Sequence, residues 1–325
     1  MNPLYEAALN GTLKSNPIPT RPFPSLTITS VLPFSVYVYS LSTDGKRVGW
    51  MGNNYAKGGN SPYLLDTPQQ SFSTSNVLSV GDILLIVAAH SGGFFAVIEL
   101  TNPSQTKLTI TSDYQSDPND IGPVPKPTKQ VLIPPDSPRV VVGCGNIAGQ
   151  NSVVREQYWR RLPDSYSLAP GATKEVSYTV TSGMQSTTSQ QDTISTSLGL
   201  NVSGGWGPIS ASISASLSTN STTFQQQTFT SQTTSFTSTK LTNSTKVPQT
   251  LLLWQLTDVV TIFDAKRVPL GCIITGGEPV IIYGPYNPLE LVERLPLVTT
   301  QELLGSHDRE SRRSAVPEKL ESTKS

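Results

Sequence analysis

The sequence predicts an all-β chain: an N-terminal β-sandwich followed by an elongated β module that carries an amphipathic hairpin. Three observations point that way. Charged residues are only 14% of the 325, well under the usual quarter or so, while 24 glycines and 26 prolines supply turns. Apolar runs of strand length recur between Gly, Pro, Asn and Asp pairs. Residues 194–219 alternate apolar and polar with period two on both sides of Gly207-Pro208.

The chain then reads in order. Residues 1–25 hold Pro3, Pro17, Pro19, Pro22 and Pro24 and read as an extended arm. Residues 26–116 form the sandwich, with strands expected at 26–31, 35–41, 83–89, 94–100 and 107–112. Asp44-Gly45, Gly58-Gly59, Gly81-Asp82 and Gly92-Gly93 provide the turns between them. The Gly/Asn/Tyr-rich insertion at 50–63 is the expected recognition surface of this receptor-binding unit, since loops carry recognition on rigid sheets. Residues 117–138, with Pro118, Pro123, Pro125, Pro127, Pro134, Pro135 and Pro138, cannot be a central strand and read as a linker.

Residues 139–288 make the elongated module. Its opening glycines, Gly143, Gly145 and Gly149, lack the following helix and the acidic partner of a dinucleotide site and read as a turn. Arg155, Tyr158, Trp159, Arg160 and Arg161 form a basic, aromatic cluster. They are candidate contacts for lipid headgroups, or else a solvated strand edge. Residues 177–245 are dominated by Ser and Thr and read as two long strands, one entering and one leaving the hairpin. Residues 250–264 are the most apolar and read as core strand, followed by strands at 271–275 and 279–283. Residues 289–325 open on a short helix at 289–294 and continue as a charged tail.

Chemistry for catalysis is sparse. The two histidines are His90 and His307, with no paired His or Cys spacing for zinc, so no metal and no cofactor is expected. His90 beside Ser91 lacks a visible orienting acid, so no catalytic residue is assigned and an enzyme is not expected. Cys144 and Cys272 permit one disulfide or two free thiols. A formal net charge of zero with no basic block outside the tail argues against nucleic acid. No apolar run approaches the roughly 20 residues of a membrane helix. The first 16 residues lack the basic end and apolar stretch of a signal peptide. The sequons at Asn201, Asn220 and Asn243 are therefore read as incidental.

The hairpin is the informative part. No charged residue lies between Asp192 and Lys240. Each arm meets the roughly 9–11 residues that a tilted strand needs to cross a bilayer. In lipid, Ile194, Leu198, Leu200, Val202, Trp206, Ile209, Ala211, Ile213, Ala215 and Leu217 would face acyl chains, with Trp206 at the far headgroup layer. Ser195, Ser197, Asn201, Ser203, Ser210, Ser212, Ser214, Ser216 and Ser218 would line water, and their lack of charge implies weak ion selectivity. Backbone pairing in lipid demands a closed ring of several copies.

This order of parts resembles the aerolysin-like β-pore-forming toxins: a binding domain, a Ser/Thr-rich strand, an amphipathic hairpin, a second Ser/Thr-rich strand and a closing β region. The resemblance covers residues 158–283. It implies a soluble form, secreted or released, that binds a glycan or protein receptor on a target-cell membrane, forms a homo-oligomeric ring and refolds the hairpin into a barrel. It also implies activation by terminal cleavage, for which Arg312-Arg313 is the candidate. The competing reading is a non-lytic lectin-like or adhesin-like binding protein, whose alternating strands pack one face on a soluble neighbour.

Overall fold

The computed structural model describes residues 23, 25–41, 47–48, 63–66, 69–74, 78–127, 133–147, 150–182, 188–200, 206–217 and 233–286. The arm through residue 22, most of the 50–63 insertion, and everything from 287 onward, including the expected 289–294 helix, Arg312 and Arg313, lie outside them.

The chain is all-β in its framework. In order, the strands are β1 (Leu26–Ser30), β2 (Val36–Leu41), β3 (Arg47–Val48), β4 (Tyr63–Leu65), β5 (Ser71–Thr74), β6 (Ile83–Ala88), β7 (Phe94–Glu99) and β8 (Lys107–Ile110). They continue with β9 (Val140–Asn146), β10 (Ser152–Leu168), β11 (Thr173–Ser182), β12 (Thr233–Thr242), β13 (Gln249–Phe263), β14 (Pro269–Gly276) and β15 (Val280–Gly284). The strands expected at 26–31, 35–41, 83–89, 94–100, 107–112, 250–264, 271–275 and 279–283 are present to within a few residues at their ends, whereas of the two long strands expected within 177–245 the described strand residues are those of β11 and β12.

A large sheet runs β14-β13-β10-β9-β7-β6-β2-β3, with β15 also pairing β13 and β4 also pairing β2. A small sheet, β5-β1-β8, packs on one of its faces. Alternation explains the packing: β1 and β5 bury every second residue, placing Leu26, Ile28 and Phe72 against Val36, Leu84 and Ile86 of the large sheet. The same core takes in Val141 and Cys144 of β9, Val154 of β10 and Phe263 of β13. The proline-rich segment therefore marks a crossing and does not divide the core. The large sheet is joined across it where Phe94 of β7 meets Val140 of β9 in parallel.

The prolines do what their chemistry dictates within that crossing. Pro118 opens a short 3-10 helix, Pro118–Ile121, whose Asp117 side chain accepts from Asn119 N at 2.7 Å while Asp120 accepts from Asp117 N at 3.0 Å. Trp159 Nε1 donates to Gly122 O at 3.2 Å, tying the crossing to β10. Glycines 143 and 145 lie inside β9, so the turn expected there is corrected to strand at these two positions, while Gly149 lies outside the described residues.

Strand register also settles the cysteines. Cys144 pairs with Val154, Val154 with Thr261, and Thr261 with Cys272. Three strand spacings of about 4.8 Å separate them, beyond the ~7 Å Cα limit for a disulfide. Both are free; burial pushes the Cys144 thiol up to about 12 and also raises Cys272.

β11 and β12 stand apart as a two-stranded ribbon. Its root packs Val176, Tyr178 and Leu241 on Leu168, Leu251 and Leu253. Asn243 clamps that root, its Nδ2 donating to Leu168 O at 3.0 Å and Val247 O at 2.9 Å, so this buried sequon asparagine serves the turn.

Candidate membrane-inserting segment

Between the ribbon strands the described residues are mainly helical, and the expected β-hairpin over 194–219 is corrected accordingly for the residues described there. Two helices are present, α1 (Thr188–Ser197) and α2 (Trp206–Ser216). The reason lies in a spacing that two periods share. A helix turns about 100° per residue, so side chains four apart lie on one face and those two apart lie on opposite faces. The large apolar residues here are four apart: Ile194 and Leu198, then Ile209, Ile213 and Leu217, all buried. The residues midway, Thr196, Ala211 and Ala215, are small and exposed. One sequence thus satisfies a strand by twos and a helix by fours.

Little in the helices themselves favours that state. Thr, Ser and Ile are indifferent helix formers, and neither helix has an acidic first turn or a basic last turn. Ser197 and Ser216 hydroxyls donate back to Thr193 O and Ser212 O at 2.7 and 2.9 Å. One strong local signal ends α1. Gly199, at φ 68°, sends its N–H to Thr196 O while Leu200 N–H bonds Ser195 O at 2.9 Å, a left-handed glycine cap. The helices are short, so burial of one face is what holds them.

The floor beneath them is the large sheet's second face. Ile147, Val153, Val260, Ile262 and Ile273 meet Ile194, Leu198, Ile209, Ile213 and Leu217, with Leu200 at the margin. Two glycines flatten that floor. A side chain on Gly145 would overlap the Ser216 carbonyl, and one on Gly271 would press Ile194. Asn151 Nδ2 donates to Ser197 O at 2.7 Å, fastening the end of α1.

The predicted faces are therefore sorted differently in this state. Ser195 is buried, Ser197, Ser212 and Ser216 are half-buried and Ser214 is exposed. Asn201, Val202, Ser203 and Ser218 lie outside the described residues, as do the side chains of Trp206 and Ser210. None of the described helices is long and apolar enough to cross a membrane.

The basic, aromatic cluster sits on β10 and is split by strand alternation. Arg155 is 0% exposed and pairs with Asp258, also 0% exposed, at 2.8 Å. It is therefore unavailable to a headgroup, which corrects the expectation for that residue. Register puts this pair on the face that carries Val260, the floor of the helices. Tyr158 is buried too, with the Arg139 guanidinium 4.7 Å above its ring. Trp159 and Arg161 are half-buried and Arg160 is exposed.

His90 and Ser91 converge on Glu156, an acid 65 residues further along the chain with no local mark of the pairing. Ser91 Oγ donates to Glu156 Oε1, and the other oxygen lies 3.4 Å from His90 Nε2 and 3.8 Å from Arg139 Nη1. The carboxylate stands between hydroxyl and imidazole, so His90 does not receive the Ser91 proton as a triad would require. Burial alone would raise the Glu156 carboxyl. His90, the Ser91 hydroxyl and Arg139 outweigh it and hold the group below its ordinary range.

With this geometry in place, solved structures provide a comparison. The chain is similar to Cry35Ab1. That match has 12% identity, covers 74% of this chain and 79% of that one, and has a TM-score of 0.36. The oligomeric pore-forming toxin pro-Monalysin matches at 16% identity over 54% of this chain and 81% of its own, with a TM-score of 0.27. No protein-family model and no curated protein sequence matches the chain. Likenesses at this level assign no residue role here.

Proposed function

We propose that the chain is a membrane-permeabilising protein of the aerolysin-like kind, and that α1 and α2 are the stored form of a strand pair that enters lipid. The observation that carries this reading is the double pattern of residues 194–217. Its large apolar side chains bury as helices on the sheet, and as strands the same residues fall on one face together with the small Thr196, Ala211 and Ala215. A soluble helix has no use for the second pattern, since Thr196, Ala211 and Ala215 gain nothing from it while exposed.

In the inserted state Ile194, Leu198, Leu200, Val202, Trp206, Ile209, Ala211, Ile213, Ala215 and Leu217 face acyl chains. The alternate serines and Asn201 line water. Copies of the chain close the barrel, because an open strand edge in lipid leaves backbone groups unpaired at several kcal/mol each. Arg160, with Trp159 and Arg161 beside it, is the headgroup contact that remains after Arg155 and Tyr158 are withdrawn. The receptor-binding surface is assigned to the 50–63 insertion and activation to cleavage near Arg312-Arg313.

Dye release from lipid vesicles tests the reading, using purified protein with and without limited proteolysis of the tail. Release together with stepwise conductance in planar bilayers is expected. Binding to vesicles or cells without permeabilisation, under every condition of proteolysis, would favour the lectin-like or adhesin-like reading instead.

A further inference from the structure

The β11–β12 ribbon has two unlike faces. One is packed: Val176, Tyr178 and Leu241 rest on Leu168, Leu251 and Leu253. The other is open, and the register sets it out in layers, Glu175 opposite Lys240, Ser177 opposite Ser238 and Thr179 opposite Phe236. Residues directly opposite in an antiparallel pair share a face. Polar groups bond across this one, with Ser238 Oγ donating to Glu175 Oε1 at 2.5 Å. Phe236 breaks the pattern. At 73% exposure it is the most exposed large apolar side chain among the described residues. Its neighbours on the same face, Thr179, Thr234 and Ser238, are short, hydroxylated and exposed, so nothing shelters the ring.

A single apolar side chain on a surface is ordinary. What sets Phe236 apart is what symmetry does to it. The packed face of the ribbon is taken up by the protein's own core, so in a closed ring of copies the open face is the one left to turn toward the axis. Each copy then contributes one phenyl group at a single level, reaching further inward than the Ser and Thr around it. Glu175 and Lys240 lie one charge against the other, four residues from that level, roughly 14 Å at 3.4 Å per residue. They cancel, so no net fixed charge repels a cation that approaches the phenyl groups.

We infer that Phe236 forms an aromatic girdle at the mouth of the channel and is a binding site for hydrophobic organic cations, of which quaternary ammonium ions are the simplest. The negative face of the phenyl ring attracts such a cation, and its alkyl groups cover apolar surface that water otherwise meets. A bound cation obstructs ion flow at the level where the path is already narrowed by apolar side chains. This rests on the membrane-permeabilising reading and adds a ligand class and the residue that holds it.

Single-channel recording in planar bilayers with tetrabutylammonium chloride tests the site, on the full chain and on chain with its tail proteolysed. Phe236→Ala, Phe236→Leu and Phe236→Trp are compared with the unsubstituted protein, and the exposure of the side chain predicts an unchanged melting temperature for all three. The expected result is a reversible fall in open-channel current for the unsubstituted protein and for Phe236→Trp. The concentration for half-block should rise more than about tenfold in Phe236→Ala and in Phe236→Leu, which keeps apolar bulk but has no π face. Open channels that tetrabutylammonium leaves unblocked, or a half-block concentration that Phe236→Ala does not change, overturn the site while leaving the pore reading intact. Block retained by Phe236→Leu overturns its aromatic character in the same way. Absence of conductance steps from the unsubstituted protein, with and without proteolysis, overturns the pore reading and the site with it.

Discussion

Ile194 of α1 rests directly on Gly271 of β14: a Cβ built on that glycine would stand 3.1 Å from Ile194 Cγ1 and 3.3 Å from its Cδ1. The contact is tight because the floor has no side chain there. Gly145 plays the same part under the Ser216 carbonyl. The stored helices are therefore held by fit to two bare backbone positions as much as by their own propensity.

Filling either position should loosen the store. Gly271→Val is expected to lower soluble-state stability by about 1–3 kcal/mol, the usual cost of overpacking. It should also lower the protein concentration needed for half-maximal dye release. Urea unfolding and vesicle leakage measured on one preparation check both halves, and unchanged values in both would show that the glycine seat does not hold α1.

The Arg155–Asp258 pair lies beneath the helices with neither side chain exposed. Removing one partner strands a buried charge, so Asp258→Ala should cost about 3–5 kcal/mol. Arg155→Met combined with Asp258→Leu should recover most of that loss, because two apolar side chains leave no charge to desolvate. Denaturant midpoints of the two variants give the comparison, and equal losses would mean that packing rather than charge governs the site.

Glu156 makes stability depend on acid. Its folded carboxyl titrates below the ordinary 4.5, so folding favours the charged form. The stabilisation is complete above pH 4.5 and drains away as pH falls through the depressed folded value. Thermal unfolding followed from pH 6 downward should show that decline in the unsubstituted protein and a shallower one in Glu156→Gln. Parallel curves would assign the acid sensitivity to other carboxylates.

Much of the framework was legible in the sequence, because strands with one buried face write their period directly into the chain. β1, β8 and the ribbon follow from it, while β6, β7 and β13, buried on both faces along most of their length, were legible as continuous apolar runs. The state of residues 194–217 was not legible, since Ile209, Ile213 and Leu217 at a spacing of four fit both periods, and only the floor of Val153, Val260 and Ile273 decides between them. Arg155 was misread for a related reason. Its partner lies 103 residues away, and only the β10–β13 register brings Asp258 to it. The proline-rich crossing looked like a domain boundary because the single parallel pairing of Phe94 with Val140 that joins the sheet across it leaves no local mark.

The central claim is that one segment is helical in the stored state and a strand in lipid. Ser214 and Ala215 test it most directly, being neighbours that are both exposed on α2 yet on opposite faces of the proposed strand. Ser214→Arg and Ala215→Arg should both leave the soluble melting temperature unchanged. On vesicles, Ala215→Arg should abolish dye release, since an arginine facing acyl chains near the midplane costs about 2–4 kcal/mol in every copy of the ring. Ser214→Arg should retain release and shift conductance toward anions. Equal release by two equally stable variants would contradict the helix-to-strand account.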